Sequence, residues 1–461
     1  SVDLTGAGWS TIGATATAGR LALLANILPH GSGTGGAGGI VTSIDELTDG
    51  AANYTRNMLF LGQTADTSIN NAEHKTAIGI NAQASVDDWS WYDVAVGHGA
   101  LEHNGTGATA GAEGNRNTAI GHDALNQNTI GDSNTAIGFE ASSKNTTGYL
   151  NTAVGYRALS NDTSGGWNTA VGWEALLNVD GGTDMVGIGG GAGRNIVTGE
   201  YTVAVGSGAL GDGGTCDPCD ENTAIGAGAM GLGTNPVAST AVGYNALKNN
   251  SGSYNTAVGF EALRRNTDGR NNTAVGKAAL TYTTDGEENT AVGTEALANN
   301  GRNVSSALNQ SYNTALGYQA LYTLGNPDGS CCNTAVGASA LSLGFNLHEN
   351  TAIGQGAGLN LNYSGENTLL GTDTLYNATQ AQRTIAIGRN AMFNVSETAD
   401  SIGIGYYALN RIGTTGSLGN IGIGYYAGTN ITGGNGDNIA IGNEALYTSG
   451  VTSPAANNIA I

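Results

Sequence analysis

The stretch VDDWSWYD, Val86 to Asp93, gathers residues that could recognise a carbohydrate. Trp89, Trp91 and Tyr92 offer flat apolar faces for sugar rings, and Asp87, Asp88 and Asp93 can accept hydroxyl hydrogen bonds. The plainer reading is that the aromatics cover the first coils or plug an oligomer. Glycoside hydrolysis needs two carboxylates at a defined separation, which spacing along a chain does not provide. No catalytic pair is assigned, and the chain is read as non-enzymatic.

Cys216 and Cys219 form CDPC, while Cys331 and Cys332 are adjacent. On the repeat described below the pairs lie about six coils, roughly 29 Å, apart. That distance excludes a disulfide between the pairs, or a four-cysteine zinc site, within one chain. It leaves disulfides inside each loop, or Cys331 and Cys332 bridging two chains, which suits an oxidising exterior. His98 and His122 stand in one column of the repeat with His103 nearby; stacked imidazoles could bind a metal, but ordinary surface histidines are the plainer reading and the one adopted. Asp- and Asn-rich turns could hold Ca²⁺, yet no EF-hand or nonapeptide calcium repeat occurs. No cofactor or metal is assigned. GxSxG, HExxH and P-loop motifs are absent, and the many N-x-S/T triplets, Asn145, Asn161 and Asn430 among them, follow from an Asn- and Thr-rich composition.

What must position these residues is a short internal repeat. Phrases such as NTAVGYRAL (Asn151–Leu159) and NTAVGWEAL (Asn168–Leu176) end their first half in a glycine that recurs at 22 anchors from Gly62 to Gly442, and 13 of the 21 spacings are 17 residues. So short a unit cannot hold two helices, but it holds one coil of a β-solenoid. The residue before the anchor is Val, Ile or Leu; three before it stands Thr, or another β-branched residue in most other rows, which favours strand. Ala follows three after the anchor in 21 of 22 rows, with Leu most often next. Glu140, Glu174, Glu261, Glu295 and Glu444 fall two after it and mark an outward face. Both faces of the NTAVG strand are small or apolar: one closes against an Ala–Leu strand of the same coil, and the other needs a partner, most simply two sister chains in a threefold bundle. The Asn four before the anchor should form a hydrogen-bonded ladder, and the anchor glycine a turn or close approach. About 23 coils at a strand spacing of about 4.8 Å make a rod on the order of 110 Å long.

The phrases NTAIGHDAL (Asn117–Leu125), NTAVGYRAL and NTALGYQAL (Asn313–Leu321) resemble the repeats of phage and bacterial tail-fibre-domain proteins and, more distantly, the heads of trimeric autotransporter adhesins. The resemblance covers Met58 to Ile461. It implies a trimeric, left-handed parallel β-roll serving host or surface attachment. This repeat is longer than that of the adhesin heads, and no heptad stalk or membrane-anchor barrel accompanies it.

Composition agrees with an all-β repeat. Of 461 residues 76 are Gly and 5 Pro, and charged residues make up 11%, below the globular norm of about 25%. The net charge of −21 repels phosphate backbones and anionic lipid, so nucleic acid and membrane surfaces are excluded as partners. The longest apolar run, LALLANIL (Leu21–Leu28), is too short to span a bilayer. Residues 1–57 lack the register and read as a cap or attachment segment, with the solenoid over 58–461. The opening SVDL suggests a processed start, and the final NNIAI, where a glycine is due, a natural chain that continues. Insertions at Glu102–Arg116, Leu210–Glu221, Asn299–Tyr312 and Gly325–Cys332 should leave the rod as loops.

Three functions compete. The first is an extracellular fibre or adhesin, on a virion or a cell, that projects loops or a tip toward a host or surface glycan. The second is a polysaccharide depolymerase on a trimeric rod. The third is an ice-binding solenoid built on the Thr column, which the exchange of Thr for Ile from Ile385 onward disfavours.

Overall fold

The computed structural model describes residues 59–61, 74–84, 91–106, 114–211, 213, 215–299, 310–323, 330–412, 417–431, 436–447 and 457–461. The expected cap over 1–57, together with Asp87, Asp88 and Trp89, lies outside them. Among the described residues there is no helix, and 23 short strands form one parallel sheet. Each strand pairs in register with the strand of the following coil: Thr135 faces Thr152, Ala136 faces Ala153 and Ile137 faces Val154. One strand of this sheet per coil, stacked in chain order with a period near 17 residues, makes the molecule a parallel β-solenoid.

Alternation along the strand decides what goes inside. The central Ala of each strand (Ala119, Ala136, Ala153, Ala170) is wholly buried and meets Ala and Leu from the opposite wall, such as Ala158 and Leu159. The coil is thin, so a Leu on one side usually faces Ala or Gly on the other; the exception, Leu369, fits where the opposite column carries Gly358 in place of Leu. At Gly187 a Cβ would lie 2.6 Å from Leu176 Cγ.

That opposite wall is not the Ala–Leu strand expected above. Leu125, Leu159 and Leu176 have φ of 48°, 53° and 51°, and the residues two positions earlier are also left-handed. Alternating left-handed residues cannot extend into a strand. They curl the chain so that the Leu side chain turns inward, while its N–H donates to the next coil's Ala carbonyl (Leu159 N to Ala175 O, 2.9 Å). A second sheet, of five strands, runs only from Phe345–His348 through Asn362–Gly365, Gln380–Gln382 and Glu397–Ala399 to Ser417–Leu418.

The anchor glycine serves a turn and a close approach together. Gly138 has φ of +140°, and a Cβ there would collide with the carbonyl of Gly155 in the next coil. The Asn ladder is present, and it is a clasp more than an amide stack. The N–H of Asn151 donates to Asn134 Oδ1 at 3.0 Å, and Asn151 Nδ2 donates to Gly165 O at 2.8 Å; Asn168 repeats both contacts one coil on. From Asn289 onward amide–amide bonds join in, as from Asn289 Nδ2 to Asn272 Oδ1 and from Asn333 Nδ2 to Asn313 Oδ1, each at 3.1 Å.

The column two after the anchor is not uniformly outward. Glu174 is buried, held by Arg157 (3.6 Å) and Arg194 (3.1 Å), while Arg157 also reaches Glu140 at 3.3 Å. A carboxylate can sit there because cations from the neighbouring coil and the next connector close over it.

Candidate functional site

Within the carbohydrate candidate, Asp93 stands four before its anchor, in the column of the Asn ladder, and is fully buried. Its Oδ2 accepts from Gln83 Nε2 (3.0 Å) and Asn104 Nδ2 (2.9 Å), and its Oδ1 from Asn117 N (2.8 Å). Asp93 therefore serves the coil interior and cannot reach a sugar; the register put it inside, which its place in an acidic aromatic run concealed. Trp91 is half-buried, with its backbone N–H donating to Asn115 Oδ1 at 2.6 Å. Tyr92 is exposed, takes a left-handed φ of 62°, and stacks on His74 at 5.0 Å.

The position after the anchor carries an aromatic ladder. His98 stacks on His122 at 4.8 Å, His122 on Phe139 at 5.3 Å and Phe139 on Tyr156 at 5.4 Å. Rings stacked along the rod cover each other's faces and present edges to solvent, so this ladder gives a sugar little to stack against. A different arrangement occurs at the connectors. Tyr149 and Trp167 meet edge to face at 4.5 Å, beside a shallow cleft of about 380 Å³ whose lining includes Arg116, Asp132, Tyr149 and Leu150. Its lining is mixed, with Arg116, Asp132, Ser133 and Thr147 beside Ile130, Tyr149 and Leu150, and such a mixture of polar groups with one aromatic face suits a polyhydroxylated ligand. Sequence reasoning passed over these residues, although the period places Tyr149 and Trp167 in adjacent coils.

The rod's outer strand face is a further candidate surface. Its Thr rank is half-exposed or exposed, and beside it Ile120, Ile137, Ile188, Ile225, Leu316, Ile353 and Leu370 belong to an exposed apolar rank. At the far end Tyr406, Tyr407, Tyr425 and Tyr426 pack ring on ring. Burial among these rings, with the neighbouring phenols, pushes the Tyr426 hydroxyl above its ordinary range.

Cys216 and Cys219 form a disulfide within their loop, with Cα atoms 5.5 Å apart. Cys331 and Cys332 are free thiols with sulfurs 2.7 Å apart. Partial burial, then the adjacent Cys332, pushes the Cys331 thiol up to about 11, so it is protonated and a poor nucleophile at neutral pH. His98 and His122 are joined by Asp123, which the sequence reading did not single out: Asp123 Oδ2 lies 3.0 Å from His122 Nδ1, and Oδ1 lies 3.9 Å from His98 Nδ1.

Comparison with protein families, with curated proteins and with solved structures found no match.

Proposed function

We propose that this chain is a structural fibre of the tail-fibre or adhesin kind, an extracellular rod that assembles as a homotrimer and carries loops or a tip to a surface glycan. The observation that supports it is the uncovered apolar rank on the strand face. Isolated exposed apolar residues are ordinary, but a continuous strip along a rod is the mark of a partner surface. Each coil buries its Ala face within the chain, and among the described residues nothing covers the Thr and Val/Ile face, which fits its being an interface between chains. The regular spacing of that face makes identical chains the fitting partners. The rod supplies length and rigidity; the cleft beside Tyr149 supplies a place for the glycan.

The test has two arms. Light scattering on the purified full chain should give three chain masses, and binding to intact cells or a glycan array should fall when Tyr149 and Trp167 are replaced by Ala. A monomer would remove the fibre reading. Glycan binding unchanged in the double variant would remove the cleft.

The same bare face supports a second reading. A flat array of half-exposed Thr at strand spacing is what an ice-binding solenoid presents, and trimer formation would cover it. Thermal hysteresis from a monomeric chain would favour ice binding; a trimer without hysteresis would favour the fibre.

A further inference from the structure

We propose that His98, His122 and Asp123 form a binding site for a divalent transition metal of the zinc class. The three side chains come from two adjacent coils and converge on one point of the surface. Each offers a ligand atom, and these atoms all lie within 4.8 Å of one another. Around a tetrahedral ion at about 2.0–2.1 Å, ligand atoms stand about 3.3 Å apart. His122 Nδ1 stands 3.0 Å from Asp123 Oδ2 and His98 Nδ1 stands 3.9 Å from Asp123 Oδ1, so closing on one ion requires the carboxylate to turn and the stacked imidazoles, 4.8 Å apart, to tilt toward it. Side-chain exposure of 51% for His98, 48% for His122 and 32% for Asp123 leaves these groups free to close on an ion and leaves its remaining positions open to water.

The fold explains why the carboxylate points there. Gly99, two after its anchor, has no side chain, and a Cβ in its place would collide with Asp123 Oδ1. The missing Cβ lets Asp123 fold back across the coil boundary toward His98. Gly356 and Asp373 repeat this arrangement, since a Cβ at Gly356 would lie 2.5 Å from Asp373 Oδ1. There the residues after the anchors are Gln355 and Thr372, which are poor ligands. Only where two imidazoles occupy that column do the repeat and the fold-back combine into a nitrogen–nitrogen–oxygen donor set, which suits Zn²⁺, Ni²⁺ or Cu²⁺ better than Ca²⁺.

Titrating the metal-free full chain with Zn²⁺ in a calorimeter, and with Co²⁺ followed by its visible spectrum, tests the assignment. One ion per chain is expected, with H98A, H122A and D123N each lowering affinity at least about tenfold and removing the low-coordinate Co²⁺ bands. H103A should change neither. Circular dichroism of each variant must match the parent, and D123N, which keeps the side-chain shape, guards against a folding artefact. Zn²⁺ bound as tightly by H98A/H122A as by the parent, no binding by the parent, or equal loss in H103A would overturn the site.

Discussion

The backbone N–H of Asn151 donates to Asn134 Oδ1 at 3.0 Å, although 17 residues separate them. The same side chain of Asn151 accepts from Asn168 N and donates to Gly165 O. One residue, through its backbone N–H and its side-chain amide, thus joins three coils. Replacing Asn151 by Leu leaves the buried Asn168 N–H and Gly165 carbonyl without partners. At about 1–3 kcal/mol for each orphaned group, the local loss should be a few kcal/mol. In a linear stack the effect stays with neighbouring coils, so hydrogen exchange should quicken over residues 134–168 and remain unchanged beyond Asn289.

Two glycines two coils apart should behave oppositely. Gly155 has φ of +136°, and an added Cβ would meet the Gly172 carbonyl, whereas nothing lies within 4 Å of a Cβ at Gly190. Gly155→Ala should destabilise the rod by more than about 2 kcal/mol through strain and collision. Gly190→Ala should stay within about 0.5 kcal/mol of the parent. Chemical denaturation of the two variants side by side checks this.

Asp162 ends a second buried ladder. Asn128 Nδ2 donates to Asn104 Oδ1 and Asn145 Nδ2 to Asn128 Oδ1, but Asn145 Oδ1 has no partner. Burial raises the Asp162 carboxyl above its ordinary 3.8, against the lowering effect of N–H donors from Gly181 and Gly165. The folded state therefore holds this proton more tightly than the unfolded chain. Its contribution is fully present below pH 3.8 and is lost as pH rises through the folded value. Asp162→Asn should remove that slope and be the more stable protein at neutral pH. Melting temperatures of parent and variant from pH 3 to 8 read the difference; parallel curves would refute the assignment.

Charge placed on the bare rank should separate assembly from folding. Ile188 and Ile225 are exposed in the single chain, so replacing both by Lys costs the coil little. In a bundle it would bury unpaired charges at every chain contact. The expected result is a folded chain of one-third the parent mass, read by circular dichroism and light scattering.

Much of this was legible from residues alone. A glycine every 17 residues, a β-branched residue three before it and Ala three after it specify a stack of thin coils, because each column meets only itself in the next coil. The Asn ladder follows from the same logic, as a buried amide at a repeated position meets its counterpart in the next coil, although its bonds to connector carbonyls were not foreseen. The Ala–Leu wall was not legible: Ala-Leu is as compatible with a strand as with a turn, and the left-handed φ of Leu159 comes from how the coil must close, not from any preference of leucine. Asp93 was misread because composition advertises a surface while the register, set by the anchor at Gly97, places it inside.

Sequence by itself determined the period, the inward Ala column and the residues that clasp one coil to another, since these depend on identity at a repeated position. Only the tertiary structure decided which side chains from different coils meet. Asp123 reaches His98 because a missing Cβ at Gly99 opens the space between them, and Glu174 is buried because arginines from the next connector and the preceding coil close over it. Such contacts depend on angles at the turns, and spacing along a chain carries no angle.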